Sequence, residues 1–231
     1  VGSEMCIRDS FIIGCGLNSL LDTINLMKVS VNLGFKKFLV MPPAYYKYGD
    51  KEVVDYYTKL VNSVPESKII LYNFEKLCGY KFSIKCVEEL AKIFPKNIIG
   101  VKDSSYNLYK DLKIKDFSIL PGSELKLLSG LEIGCSGIIT ATCNVTAELS
   151  RKVYDDFFNN VTQTANNKLC EVRKTFDQFN LISGLHSFLK ENDSDYSNIL
   201  PTLSLLDPKD EKILFNKLRE LDFPAKKNVA A

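Results

Sequence analysis

Ile98-Ile99-Gly100-Val101-Lys102-Asp103-Ser104 is the stretch on which the reading of this chain turns. A short apolar run with β-branched residues and a glycine reads as a buried parallel strand, and this one ends on a lysine. An ammonium drawn out of water loses solvation, so its pKa falls and the neutral amine becomes a nucleophile. Lys102 at the carboxyl end of such a strand can therefore attack a carbonyl and form a Schiff base. The plainer alternative is a lysine that snorkels to water or pairs with Asp103. The stretch alone leaves both open, and the rest of the chain has to choose.

Composition narrows the classes. At 231 residues the chain suffices for one sizeable core, the length of a single-domain α/β barrel. With 45% hydrophobic and 25% charged residues it reads as a globular protein, and a net charge of +2 argues against a nucleic-acid or membrane surface. No apolar run reaches the roughly 18 residues of a membrane span. The seven cysteines are odd in number and scattered, which suggests buried thiols in a reducing, cytoplasmic compartment. His186 is the only histidine, so a zinc site or a Ser-His-Asp triad has little to draw on, and the expected mechanism uses no metal and no cofactor.

From Phe11 onward, short apolar runs alternate with loops and segments of helical period. Strands are expected at Phe11–Ile13, Lys37–Met41, Ile69–Phe74, Ile98–Asp103, Phe117–Leu120 and Gly137–Ala141. Helices follow: one capped by Ser19, one over about Asp50 to Val64, one capped by Ser83, one after Ser105, one leading to Ile133, and one opened by Thr146 and running to about Phe158. Parallel strands require such crossovers, so the pattern is α/β, although spacing alone does not separate an open doubly wound sheet from a barrel. After Phe158 the strand signal stops. Asn159 to Lys190 reads as helical, and Asp207-Pro208 opens a last helix to about Leu221. VGSEMCIRDS, residues 1–10, has the look of a translated adaptor scar and is set aside, so the fold is expected to begin part-way through at Phe11. The tail from Ala225 is expected to fray.

In parallel α/β folds, functional groups collect where strands run into helices. Here those positions hold Tyr72, Lys102, Gly122-Ser123 and Thr140-Thr142. A tyrosine hydroxyl beside an imine-forming lysine can carry the protons that dehydrate the carbinolamine, and backbone N–H groups near Gly122 and Ser123 can receive a substrate carboxylate. Each has a plainer reading. Tyr72 can be a core-edge aromatic, Gly122-Ser123 a turn and helix cap, and Tyr45-Tyr46 with Tyr48 a packing or subunit-contact cluster.

Taken together, Gly14-Cys15-Gly16-Leu17-Asn18-Ser19, Met41-Pro42-Pro43-Ala44-Tyr45-Tyr46-Lys47, Leu71-Tyr72-Asn73, Ile99-Gly100-Val101-Lys102-Asp103-Ser104, Pro121-Gly122-Ser123-Glu124 and Gly137-Ile138-Ile139-Thr140-Ala141-Thr142-Cys143-Asn144 stand in one order and spacing. That set resembles the family of pyruvate-type Schiff-base lyases and aldolases containing dihydrodipicolinate synthase, N-acetylneuraminate lyase and 2-keto-3-deoxy-sugar-acid aldolases. The resemblance implies a (β/α)8 TIM barrel of which residues 11–158 supply strands three to eight, lacking about the first two, with residues 159–231 as a helical extension. It implies that Lys102 forms an imine with pyruvate or another 2-oxo acid, that Tyr72 relays protons, that Tyr46 reaches a neighbouring subunit's site, and that Ile139 lines the pyruvate pocket. The implied partners are a 2-oxo acid, an aldehyde and further copies of the chain in a homo-oligomer.

Two departures qualify the resemblance. Where the synthase branch carries Tyr-Asn-Val-Pro-Ser-Arg, this chain has Tyr72-Asn73-Phe74-Glu75-Lys76-Leu77, and a leucine cannot make the bidentate carboxylate contact of that arginine. The expectation is therefore an aldolase acting on a 2-keto-3-deoxy sugar acid or similar, with the synthase, a keto-deoxy acid dehydratase or an inactive ligand-binding homologue as alternatives. The family's Gly-Thr-Thr-Gly-Glu carboxylate loop also has no counterpart before Phe11, which predicts little turnover by the chain as it stands.

Overall fold

The computed structural model describes residues 10–225. The scar reading of Val1–Ser10 therefore lies outside it but for Ser10, as does the tail beyond Ala225. The described residues contain a five-stranded sheet, β1 (Ile12–Gly14), β2 (Lys37–Val40), β3 (Lys68–Asn73), β4 (Ile98–Asp103) and β5 (Ser118–Pro121). Each strand pairs in parallel with the next in sequence. Doubly wound sheets reverse their strand order at a switch point, whereas a sheet that advances one strand at a time is wound as a barrel wall. The consecutive order settles what the spacing left open: the fold is α/β, of the TIM-barrel type.

The helices follow from their caps and apolar stripes. Helix α1 (Leu20–Asn32) starts where the Ser19 hydroxyl accepts the Asp22 N–H, and it buries Ile24 and Met27. Helix α2 (Asp50–Ser63) opens with Glu52 accepting the Gly49 N–H, and its buried Tyr57 donates to the carbonyl of Val40 at 2.8 Å. A short α3 (Glu75–Cys78) ends on Gly79 at φ 75°, the left-handed conformation in which glycine carries no Cβ penalty. In α4 (Ile84–Ile93), Ser83 caps by accepting the Cys86 N–H. The interior around β1–β5 is one apolar cluster, with Phe38, Ile69, Leu71, Phe82 and Val101 fully buried.

The chain divides into two compact units, one ending at Gly122 and also taking in Ile133–Gly137, the other made of Ser123–Glu132 and the chain from Ile138 onward. The second unit contains a 3-10 turn (Glu124–Lys126), α5 (Leu127–Glu132), α6 (Cys143–Phe158), α7 (Asn166–Phe176), α8 (Leu181–Leu189) and α9 (Pro208–Glu220). Asp207 caps α9 by accepting the N–H groups of Lys209 and Asp210, with Pro208 at the first helical position, where its missing N–H costs nothing. Two apolar clusters hold this unit, one around Val172, Phe176, Leu185 and Leu214 and one around Leu127, Val153 and Leu169.

Three expectations are corrected. The helix expected after Ser105 does not form. Asp103 captures the N–H groups of Tyr106, Leu108 and Tyr109, which a helix would direct at its own carbonyls, and Tyr106 sits at φ 57°, outside the helical region. The strand expected at Gly137–Ala141 is not in a ladder either. A single bond joins the Ser136 N–H to the Ile119 carbonyl at 2.9 Å, and Gly137, at φ 140°, then turns the backbone out of strand geometry. The continuous helical stretch expected over Asn159–Lys190 is broken into α7 and α8, with Asn180 capping the second through a hydrogen bond from Ser183 N. Six cysteines are free among the described residues, and four of them, Cys15, Cys78, Cys86 and Cys135, are buried.

Candidate active site

Strands β3 and β4 bring the first group of residues together. Their register sets Tyr72 opposite Lys102 and Asn73 opposite Asp103, at the carboxyl ends of both strands. β4 has a strand on each side, and every residue from Gly100 to Asp103 is buried. Lys102 is thus 9% exposed, and its Nζ lies 4.0 Å from the centroid of the Tyr72 ring. A cation over an aromatic face is worth about 0.5–2 kcal/mol. The Tyr72 phenol is pushed above its usual range by burial and pulled partly back by a hydrogen bond with the Ser104 side chain. It therefore stays a protonated donor at neutral pH.

The residue after the lysine builds the frame. Asp103 is fully buried, and its carboxylate accepts Asn73 Nδ2 at 2.8 Å and the backbone N–H groups of Tyr106, Leu108 and Tyr109, each at 2.9 Å. Asn73 Nδ2 also donates to Asn107 Oδ1 at 2.8 Å, while Asn73 Oδ1 accepts the Phe82 N–H at 3.1 Å. Asn107 closes the ring by donating to the Phe82 carbonyl at 2.9 Å. This network ties the β3 end, the β4 end and both following loops into one piece, and it holds Tyr72 and Lys102 face to face. From sequence alone Asp103 reads as an ion-pair partner of the lysine, and its role as the hub of this frame is not legible there. Asn73 was the available signal, an amide placed in register with a carboxylate at the end of an otherwise apolar strand.

Gly122 follows β5. A Cβ there would lie 2.1 Å from Ser104 Oγ and 3.1 Å from Ser104 Cα, so the close approach of these two loops needs a glycine. Its N–H is already given to the Asp103 carbonyl at 3.0 Å. The donor that the sequence offered at Gly122 thus belongs to the frame. Tyr46 is 73% exposed on the loop after β2, edge to face with the 89% exposed Tyr45 at a centroid distance of 5.0 Å. Tyr45 itself sits at φ 87°. On the same loop, Tyr48 turns inward and donates to the Pro43 carbonyl. Leu77 is 55% exposed in α3.

The second unit holds the remaining residues. Ser123 is buried, and its Oγ accepts the Leu125 N–H at 3.3 Å, the helix-cap role of its plainer reading. Next to it, Glu124 is fully buried and accepts from Thr140 Oγ1, Thr146 Oγ1 and Arg173 Nη1, all at 3.0 Å. Ile139 is half-buried in the segment before α6. Arg173 was not anticipated, although a signal existed. It occupies an apolar face of α7 shared with Leu169, Val172 and Phe176, where a charge is out of place unless paired. Burial opposes its charge, but Asp177 and Glu124 more than offset that and hold the guanidinium above its usual range. His186 contacts the Tyr196 carbonyl through Nδ1 at 2.8 Å, at the end of α8.

Comparison with known proteins adds the decisive finding. The pattern of the dihydrodipicolinate synthetase family matches residues 8–215. The chain belongs to this family. It is 26% identical to 4-hydroxy-tetrahydrodipicolinate synthase of Methanococcoides burtonii over 94% of this chain and 76% of that protein. It is 29% identical to the 2-dehydro-3-deoxy-D-gluconate/2-dehydro-3-deoxy-phosphogluconate aldolase of Picrophilus torridus over 64% of this chain, spanning 56% of the aldolase. Among solved structures, dihydrodipicolinate synthase from Thermotoga maritima superimposes with a TM-score of 0.81 at 21% identity, over 92% of this chain and 75% of the synthase. That likeness gives the family fold. Among the described residues no helix is long and apolar enough to cross a membrane.

Proposed function

We propose that this member of the dihydrodipicolinate synthetase family is a lyase of the class I aldolase type, in which Lys102 forms a Schiff base with pyruvate or a related 2-oxo acid. The observation that carries the reading is the nine-tenths buried Lys102 paired in register with Tyr72, its Nζ on the tyrosine ring. The Nζ lone pair attacks C2 of the 2-oxo acid, and the Tyr72 hydroxyl supplies the proton with which the carbinolamine loses water. The resulting iminium accepts the electron pair of the breaking C3–C4 bond. The C4 hydroxyl gives up its proton through Tyr72, an aldehyde departs, and the enamine takes a proton at C3. Hydrolysis then returns pyruvate and the free amine. Run backwards, the enamine attacks an aldehyde.

Gly122, Ser123 and Ile139 are assigned to substrate binding on the family resemblance, with the Gly122 N–H already given to the Asp103 carbonyl. Tyr46, exposed and edge to face with Tyr45, reaches a second copy of the chain in a cytoplasmic homo-oligomer. The aldehyde partner is assigned to the 2-keto-3-deoxy sugar acid class. Leu77 offers no guanidinium for a second carboxylate, and the Picrophilus torridus aldolase is among the relatives.

The test is reduction with borohydride in the presence of pyruvate, followed by peptide mass spectrometry, on chain already shown by circular dichroism to be folded. The expected result is a reduced pyruvyl adduct on Lys102. An adduct on a different lysine, or none in the folded chain, overturns the proposal.

A further inference from the structure

Ser104 stands one position beyond β4, and its N–H still bonds to the Asn73 carbonyl at 2.9 Å, so the strand geometry carries on past Asp103. Alternate residues of a strand share a face, which puts Ser104 on the face of Lys102. The β4–β5 register sets Gly100 opposite Ser118 and Lys102 opposite Leu120, and carried two positions on it sets Ser104 beside Gly122. A Cβ at Gly122 would lie 2.1 Å from Ser104 Oγ and 3.0 Å from Ser104 Cβ, so the hydroxyl is walled in on the β5 side. On the β3 side it is hydrogen-bonded to the phenol of Tyr72, whose partner across the ladder is Lys102. All of these residues belong to the first compact unit. A phenol that has given up its proton can only accept, and a hydroxyl fixed beside it can donate. Such a bond favours the charged form and offsets part of the burial that opposes it.

We propose that Ser104 is a positioning residue for proton transfer: its hydroxyl orients the Tyr72 phenol and donates a hydrogen bond to the phenolate left when Tyr72 gives its proton to the carbinolamine. The inference rests on the Schiff-base reading above. In the dehydration step the Tyr72 proton passes to the carbinolamine hydroxyl, the C–O bond breaks, and water leaves as the Nζ lone pair closes the C=N bond. The phenolate takes a proton back from the C4 hydroxyl when the C3–C4 bond breaks. Ser104 keeps its own proton throughout, so it acts through Tyr72 and not on the substrate.

The experiment is stopped-time borohydride trapping of pyruvate on Lys102 in the full chain, for the parent, S104A, Y72F and Y72F/S104A, with a thermal melt for each. The expected result is a trapping rate at saturating pyruvate about tenfold lower in S104A, the worth of a hydrogen bond to a charged group. The half-saturating pyruvate concentration and the melt are retained. In the Y72F background S104A costs nothing further, because the hydroxyl it served is gone. A role in stability alone would lower the melt or slow both backgrounds by the same factor. If S104A does not fold, S104C, which leaves only a weak donor at the position, decides by the same comparison. A parent that traps pyruvate on Lys102, together with a folded S104A within twofold of its rate or an equal loss in both backgrounds, overturns the role of Ser104 and leaves the Schiff base standing. A folded parent that traps nothing overturns the Schiff base, and this inference with it.

Discussion

Replacing Asp103 with alanine removes the hub of the frame around Lys102, and the structure sets the size of the effect. Four hydrogen bonds end on the Asp103 carboxylate, three of them from backbone N–H groups at Tyr106, Leu108 and Tyr109. Leu108 and Tyr109 are buried, so their orphaned N–H groups cannot turn to water without opening the loop. An unsatisfied buried donor costs about 1–3 kcal/mol, and the two together about 2–6. The variant recovers part of that because it no longer buries a carboxylate, which leaves an expected loss of about 1–4 kcal/mol. Set against a typical domain stability of about 5–15 kcal/mol, this is a large fraction. Urea unfolding monitored by circular dichroism reads the loss as a lower midpoint. Borohydride trapping reads its local consequence, a reduced rate of adduct formation at pyruvate concentrations that saturate the parent. An Asp103→Ala chain that unfolds within about 1 kcal/mol of the parent and traps pyruvate equally fast would refute the reasoning, because it would mean that the network does not hold the lysine's surroundings.

Two further outcomes are expected. Tyr72→Phe keeps the ring under Lys102 Nζ but removes the hydroxyl, so the adduct should still form while its rate falls by about 10²–10⁴, the usual worth of a positioned proton donor; stopped-time trapping measures this, and an unchanged rate rules Tyr72 out as the relay. Burial pushes the thiols of Cys15 and Cys86 up to about 12 and about 11 from an ordinary 9.0. The native state keeps protons that the unfolded chain releases, so stability is full below pH 9 and is lost as pH rises through 11 and 12. Cys86 alone contributes a loss on the order of 2 kcal/mol. Melting temperatures from pH 8 to 11 should fall steadily above 9, and a flat profile would contradict the burial of these groups.

What could be read from residues alone was whatever is decided locally. Ser19, Ser83 and Asp207 each supply a side-chain oxygen beside the first turn they cap, and each starts the helix assigned to it. The apolar runs ending in Tyr72 and Lys102 are strands because such segments satisfy their backbone only in a covered parallel sheet. The motif order was enough to name the family.

Tertiary structure decided what depends on partners distant in sequence. Asp103 pairs with Asn73, 30 residues away, and in taking three loop N–H groups it cancels a helix that local periodicity favours. Glu124 and Arg173, 49 residues apart, hold a segment that reads as a strand but whose glycine, at φ 140°, leaves the ladder. Propensity and period describe a residue among its neighbours along the chain, whereas a buried charge is placed by the groups that satisfy it across space.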